Sequence, residues 1–162
     1  MVSTLDGMNK RFANLIESLH PSLAALLAMK PVTSATLPRS TPRSGIYLFS
    51  ERRKHLYVGR SNRLSDRVRN HGKDASRQNV ASFAFLIARR DTGNHQATYT
   101  AAGSREALVA EPMFAAAFLE AKRRISRMSV RYVEETDQLR QALLEMYVHV
   151  ALQTPFNDFE TH

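Results

Sequence analysis

The sequence predicts an α/β chain of the α+β type: a small, mainly antiparallel three-stranded sheet flanked by helices, with further helices at the N-terminus and in the middle. Three observations carry this. Gly45-Ile46-Tyr47-Leu48-Phe49 and Leu56-Tyr57-Val58-Gly59-Arg60 are short apolar runs separated by a charged turn, Glu51 to His55, the pattern of two hairpin strands. Ser129 to Glu134 alternates around Val130, Arg131 and Tyr132 and reads as a third strand. Phe12, Leu15, Ile16 and Leu19 recur at helical spacing, and the alanine-rich stretches further on favour helices. A chain of 162 residues is the size of one domain, 1–162, and can bury a core of its own.

In chain order, Phe12, Leu15, Ile16 and Leu19 mark one face of a helix over 9–19. His20-Pro21-Ser22 interrupts it, and a second short helix runs from Leu23 to Met29, ended by Pro31. Together with the start of the linker they make an N-terminal helical extension, 1–37. Val32 to Ser44 is rich in prolines and turn formers and reads as an extended linker. After the hairpin, Ser61 to His71 reads as an arginine-rich helix with Asn62 as N-cap, Asp66 in the first turn, Leu64 and Val68 facing inward, and Gly72 as its end. Arg67 and His71 are four apart and share a helix face.

Residues 73–128 read as a helical insertion. The stretch Asn79 to Arg90 is apolar on both faces, and its alanines favour a helix. Asp91 to Gly103 is a polar loop; Ser104 caps a short helix, and Pro112 opens another that runs to about Arg127. Thr136 and Asp137 open a last long helix, Asp137 to Leu152, in which Glu145 is surrounded by apolar residues. A carboxylate in such a run needs a cation, a metal or water. A buried salt bridge to an arginine is the structural reading. His149, one turn on, has the spacing of a metal pair with Glu145, but packing or hydrogen bonding explains it better.

Composition narrows the function. The apolar 43% and charged 23% are those of an ordinary soluble protein, and no run approaches the ~20 apolar residues of a membrane span. Residues 1–8 lack the basic-then-apolar pattern of a leader. There are no cysteines, which excludes disulfides, thiol nucleophiles and zinc fingers and fits a cytoplasmic location. The net charge of +8 is concentrated: residues 39–77 hold eleven basic side chains against three acids, a surplus of eight, while the remainder balances at twelve each. A one-sided, arginine-heavy cluster is an electrostatic footprint for a polyanion. Its bland alternative is a solubilising face.

The motifs sharpen this. Gly45-Ile46-Tyr47 and Tyr57-Val58-Gly59, followed by Arg67 and His71 on the next helix and by Glu145 and Pro155-Phe156-Asn157 downstream, resemble the GIY-YIG nuclease superfamily, with Val for Ile in the second tripeptide. The resemblance covers 43–72 and 129–158. It implies a GIY-YIG core and a Mg²⁺-dependent endonuclease of restriction, repair or defence type. Such an enzyme hydrolyses DNA, single- or double-stranded, leaving 5′-phosphate and 3′-hydroxyl ends, and acts as monomer or homodimer. The implied catalytic residues are Tyr47, Tyr57, Arg67, His71, Glu145 and Asn157. Glu145 would be the metal ligand, for Mg²⁺ with Mn²⁺ as substitute, and Asn157 a bracing amide. Arg60, Arg63, Arg69 and Lys73 are the expected nucleic-acid contacts.

The chemistry suits these residue types. A carboxylate suits the hard Mg²⁺ ion, and an always-charged guanidinium clamps a phosphate. A tyrosine of pKa ~10 is a poor base unless its surroundings lower that value, and His71 can accept its proton. Which of Tyr47, Tyr57 and His71 is the base stays open. Taken singly, the tyrosines are also good hairpin residues, and Arg67 and His71 would suit a solvated helix face. Two rivals remain: a nucleic-acid-binding module without catalysis, and an RNA-cleaving member, which 2′-hydroxyl substrates would separate.

Overall fold

The computed structural model describes residues 7–94 and 104–159. Three strands, β1 (Gly45–Glu51), β2 (Lys54–Ser61) and β3 (Ser129–Glu134), form one antiparallel sheet in the order β2-β1-β3. β1 lies in the middle, which explains why it is buried along nearly its whole length. Alternation divides its side chains between two cores. Tyr47 and Phe49 face one; Ile46 and Leu48 face the other.

Helices cover both faces. On the Tyr47 side lie α3 (Leu64–His71), α4 (Ser82–Asp91) and α6 (Pro112–Ser126), which contribute Leu64, Val68, Phe83, Phe85, Phe118 and Ile125. The short α5 (Arg105–Ala110) packs beside α6. On the Ile46 side lie α2 (His20–Ala28) and α7 (Gln138–Leu152), with Leu26, Leu144 and Val148, and α1 (Lys10–Glu17) adds Ile16. The 73–128 stretch thus supplies much of one core. Fully burying each large apolar side chain is worth about 1.5–3 kcal/mol. No helix among the described residues is long and apolar enough to cross a membrane.

Several local expectations need correction. His20-Pro21 does not interrupt a helix but begins α2, with proline in the first turn, where its missing N–H costs nothing. Asn62 does not cap α3: Arg63 holds the cap position without a side-chain bond, and Asn62 Oδ1 instead accepts from Gln141 Nε2 at 3.0 Å. The linker is not wholly extended, since Val32 bridges to Val130 and residues Ser34–Thr36 make a 3₁₀ turn. α4 starts at Ser82, after a turn at Val80 and Ala81. Residues 95–103 of the expected polar loop lie outside the described residues. Ser104 and Asp137 cap α5 and α7 as their types predict, accepting from Ala107 N and Arg140 N.

The hairpin turn is tighter than its charge suggests. Glu51 pairs with Lys54, so Arg52 and Arg53 alone make the turn, at φ of +49° and +66°. Two-residue turns of this hand favour Asn-Gly, because left-handed backbone costs other residues roughly 1–2 kcal/mol each. The double change Arg52→Asn/Arg53→Gly is therefore expected to stabilise the fold by about 1–2 kcal/mol, a rise in Tm of a few degrees in a thermal melt.

Candidate active site

Tyr47 sits mid-way along β1, its ring aimed at the α3 side and its side chain 1% exposed. Its cross-strand partner is Gly59. Any Cβ at 59 would collide with the tyrosine hydroxyl and Cζ and lie 2.9 Å from Cε2. The glycine of the second tripeptide is thus the slot that holds the tyrosine of the first. The Tyr47 hydroxyl reaches His71 Nε2 at 2.8 Å, at the last residue of α3.

His71 is not on a solvated face: it is fully buried among Tyr47, Phe49, Tyr57 and Phe83. Its Nδ1 has no hydrogen-bond partner among the described residues. Burial, and secondarily the charge of Arg67, pushes its pKa down to about 3, so the ring is neutral at ordinary pH. The sign of the consequence is definite. Between the unfolded value near 6.5 and about 3, the unfolded chain binds a proton here that the folded chain refuses. Stability therefore falls with falling pH below ~6.5, by up to about 1.4 kcal/mol per unit. His71→Gln is expected to flatten that part of the pH–stability curve relative to wild type, as read by urea denaturation.

Tyr57 lies on the same sheet face, opposite Phe49, and stacks on Phe83 at 4.6 Å with rings nearly parallel. Burial raises both phenols above their usual range; for Tyr47 the neighbouring Tyr57 adds to this, while Arg67 opposes it in both. For Tyr57, a hydrogen bond with Ser82 also pulls the other way. Arg67 donates from Nη1 to the Val80 carbonyl at 2.8 Å and from Nη2 to Ser82 Oγ at 3.0 Å. The connection bearing Val80 and Ser82 is itself pinned by buried Lys122, whose Nζ donates to the carbonyls of Asp74 and Ser76. Ser82 escaped sequence reasoning; only its position at the first turn of α4, next to Phe83, could have pointed to it.

Glu145 approaches from the other side. Arg60 pairs with Ile46, so its side chain lies on the sheet face that α7 covers. There its Nε sits 3.0 Å from Glu145 Oε2. Burial raises the carboxyl's pKa more than Arg60 and Arg67 lower it. The tyrosines and the carboxylate thus flank opposite faces of β2, yet Glu145 acts electrostatically on both phenols, and Arg67 on all three.

Asn157 closes the free edge of β2. Its Oδ1 accepts from Val58 N at 2.9 Å and its Nδ2 donates to Val58 O at 2.7 Å, replacing the bonds of a missing neighbour strand. The Phe156 N–H donates to Leu56 O one step along. Buried Thr154 donates to Asn157 Oδ1 and so accepts from His149 Nδ1 at 2.8 Å. His149 is therefore spent on the brace, consistent with the hydrogen-bonded reading of its spacing. Thr154 was the second residue missed. Arg63 at the N-cap of α3, Arg69 on it and Lys73 just after it are exposed, with Arg63 Nη2 2.7 Å from Asp66 Oδ2.

The described residues hold no cluster of three or more His, Asp or Glu. A metal here would rest on one carboxylate, water and substrate oxygens. Glu145 fits: it is an oxygen donor in a partly buried, cationic setting, and Mg²⁺ keeps several waters when bound through one or two carboxylates. Arg60 would have to turn aside from Oε2.

No family model, curated protein or solved structure matches the chain.

Proposed function

We propose that this protein is a Mg²⁺-dependent endonuclease of the GIY-YIG type that hydrolyses DNA phosphodiester bonds. The observation that carries the reading is the Tyr47–His71 hydrogen bond at the Gly59 slot, with Arg67 and Glu145 both within electrostatic reach of it. These elements belong to two distant parts of the chain, the same two that the motifs mark.

In this mechanism Glu145 would hold the metal, which when bound would supply charge neutralisation at the phosphate and the leaving group. Arg67 has two N–H groups committed to Val80 and Ser82 and turns its remaining donors to the scissile phosphate. Tyr47 takes the proton of the attacking water as it passes its own to His71 Nε2. A concerted transfer suits the site, because a lone phenolate is disfavoured in this buried place. His71 begins the cycle neutral, and since the same burial disfavours its protonated form, transfer to it depends on the negative charge that the bound phosphodiester brings to the site. Asn157 keeps β2, and hence Tyr57, Gly59 and Arg60, in register.

The test is incubation with matched DNA strands and strands carrying uniform 2′-hydroxyls, in Mg²⁺ or EDTA. Cleavage of the DNA alone, abolished by EDTA, supports the reading. Cleavage confined to the 2′-hydroxyl strands moves it to RNA, and binding without cleavage of either moves it to a binding module.

A further inference from the structure

Two contiguous clefts run along the start of α3. One, of about 340 Å³, is lined by Ser61, Arg63, Asp66, Arg67 and Asn70. The other, of about 280 Å³, is lined by Thr41, Arg43, Arg63, Ser65 and Asp66, with Pro42 and Leu64. Arg63 and Asp66 belong to both and form the ridge between them. The linker is fastened there by Leu64 N, which donates to the Arg43 carbonyl at 2.8 Å, and beside it Arg63 N donates to Ser61 Oγ at the end of β2 at 2.9 Å. Arg43, Arg63 and Arg67 therefore follow one another across a single surface, with Arg63 and Arg67 one helical turn, about 6 Å, apart.

Apart from Asp66, Pro42 and Leu64, the lining side chains are arginines, hydroxyls and one amide. Arginine, hydroxyl and amide side chains are the usual donors to phosphate oxygens. No aromatic ring is among the described residues that line either cleft. Proteins that grip unpaired strands do so largely by stacking bases on aromatic side chains, and nothing in these clefts supplies such a platform. The one acid on the surface, Asp66, is spent on Arg63 at 2.7 Å in an exposed pair. An incoming phosphate would compete with it for the same guanidinium.

We propose that the two clefts are one track for the sugar-phosphate backbone of duplex DNA, leading from Arg43 through Arg63 to the scissile phosphate at Arg67, and that Asp66 holds Arg63 until a phosphate displaces it. The placement of the scissile phosphate rests on the nuclease reading. The track sets affinity and orientation and carries no base sequence.

The experiment measures binding of a fluorescent duplex, and of one of its strands alone, to the full chain in EDTA across a salt series. The duplex binds more tightly than the single strand. Arg43→Ala and Arg63→Ala each lower the slope of log K against log salt by about 0.9, and Asp66→Asn tightens binding by about fivefold. Arg11→Ala, on α1 across the sheet, changes nothing. Unchanged slopes in both arginine variants overturn the track, tighter binding of the single strand overturns the duplex, and an unchanged affinity in Asp66→Asn overturns its role. Because no cutting is required, the two readings fail separately. Loss of duplex binding in the variants of a protein that never cuts leaves the track standing without the nuclease. Normal binding and cutting in both variants leaves the nuclease without the track.

Discussion

Replacing Tyr47 with Phe is expected to slow DNA cleavage by about 10³-fold, within the range that a positioned general acid–base contributes. Only one oxygen is removed. The ring still fills the slot above Gly59 and still packs on Phe49 and His71. His71 Nε2, however, loses its partner, and Nδ1 already has none among the described residues. A fully buried imidazole with both nitrogens unpaired costs about 1–3 kcal/mol, so the variant should fold with reduced stability. Single-turnover rates and urea denaturation separate the two effects. Tyr57→Phe is the comparison. Its ring stacks on Phe83, and it is the Tyr47 hydroxyl that holds His71 Nε2, so a smaller loss of rate is expected. A larger loss for Tyr57→Phe than for Tyr47→Phe would transfer the proton relay to Tyr57.

Glu145→Gln is expected to remove metal-dependent cleavage, a loss of at least about 10³-fold, through the charge stabilisation that the metal supplies. Gln keeps the shape of the side chain and a single oxygen acceptor, but loses the charge that a hard cation requires. The fold should tolerate it. The pair with Arg60 is the only ion pair that Glu145 makes among the described residues, and the Arg60 side chain is 46% exposed, so its loss should cost within about 1 kcal/mol. A thermal melt close to wild type beside a dead enzyme is the expected combination. An active variant would leave Glu145 as a structural partner of Arg60 and no more.

The hairpin, the third strand and the starts of α5, α6 and α7 were legible because each is set by local chemistry: β-rich runs, Ser104 and Asp137 as caps, Pro112 as an opening residue. The candidate site residues were picked out by the resemblance of two separate motifs to a nuclease family, not by any local pattern. Their arrangement was not legible. That His71 is buried follows from the arrival of Phe83 on α4, which no local pattern announces. That Arg60 meets Glu145 on the face opposite the tyrosines follows from strand parity and from where α7 packs, both tertiary facts. Asn62 had the residue type of a cap but was claimed by Gln141, 79 residues away, and the shape of the linker depended on a bridge from Val32 to β3. Ser82 and Thr154 act by holding Arg67 and Asn157, and a serine or threonine carries no signature of what it will hold.

The most direct measurement is single-turnover cleavage of an end-labelled DNA duplex by the purified chain, in Mg²⁺ and in EDTA, with the chemical nature of the new ends identified. The predicted result is cleavage in Mg²⁺ that leaves 5′-phosphate and 3′-hydroxyl ends and disappears in EDTA. Undiminished cleavage in EDTA, or tight binding with no cleavage in Mg²⁺ or Mn²⁺, would contradict the role given to Glu145 and to the site built around Tyr47 and His71.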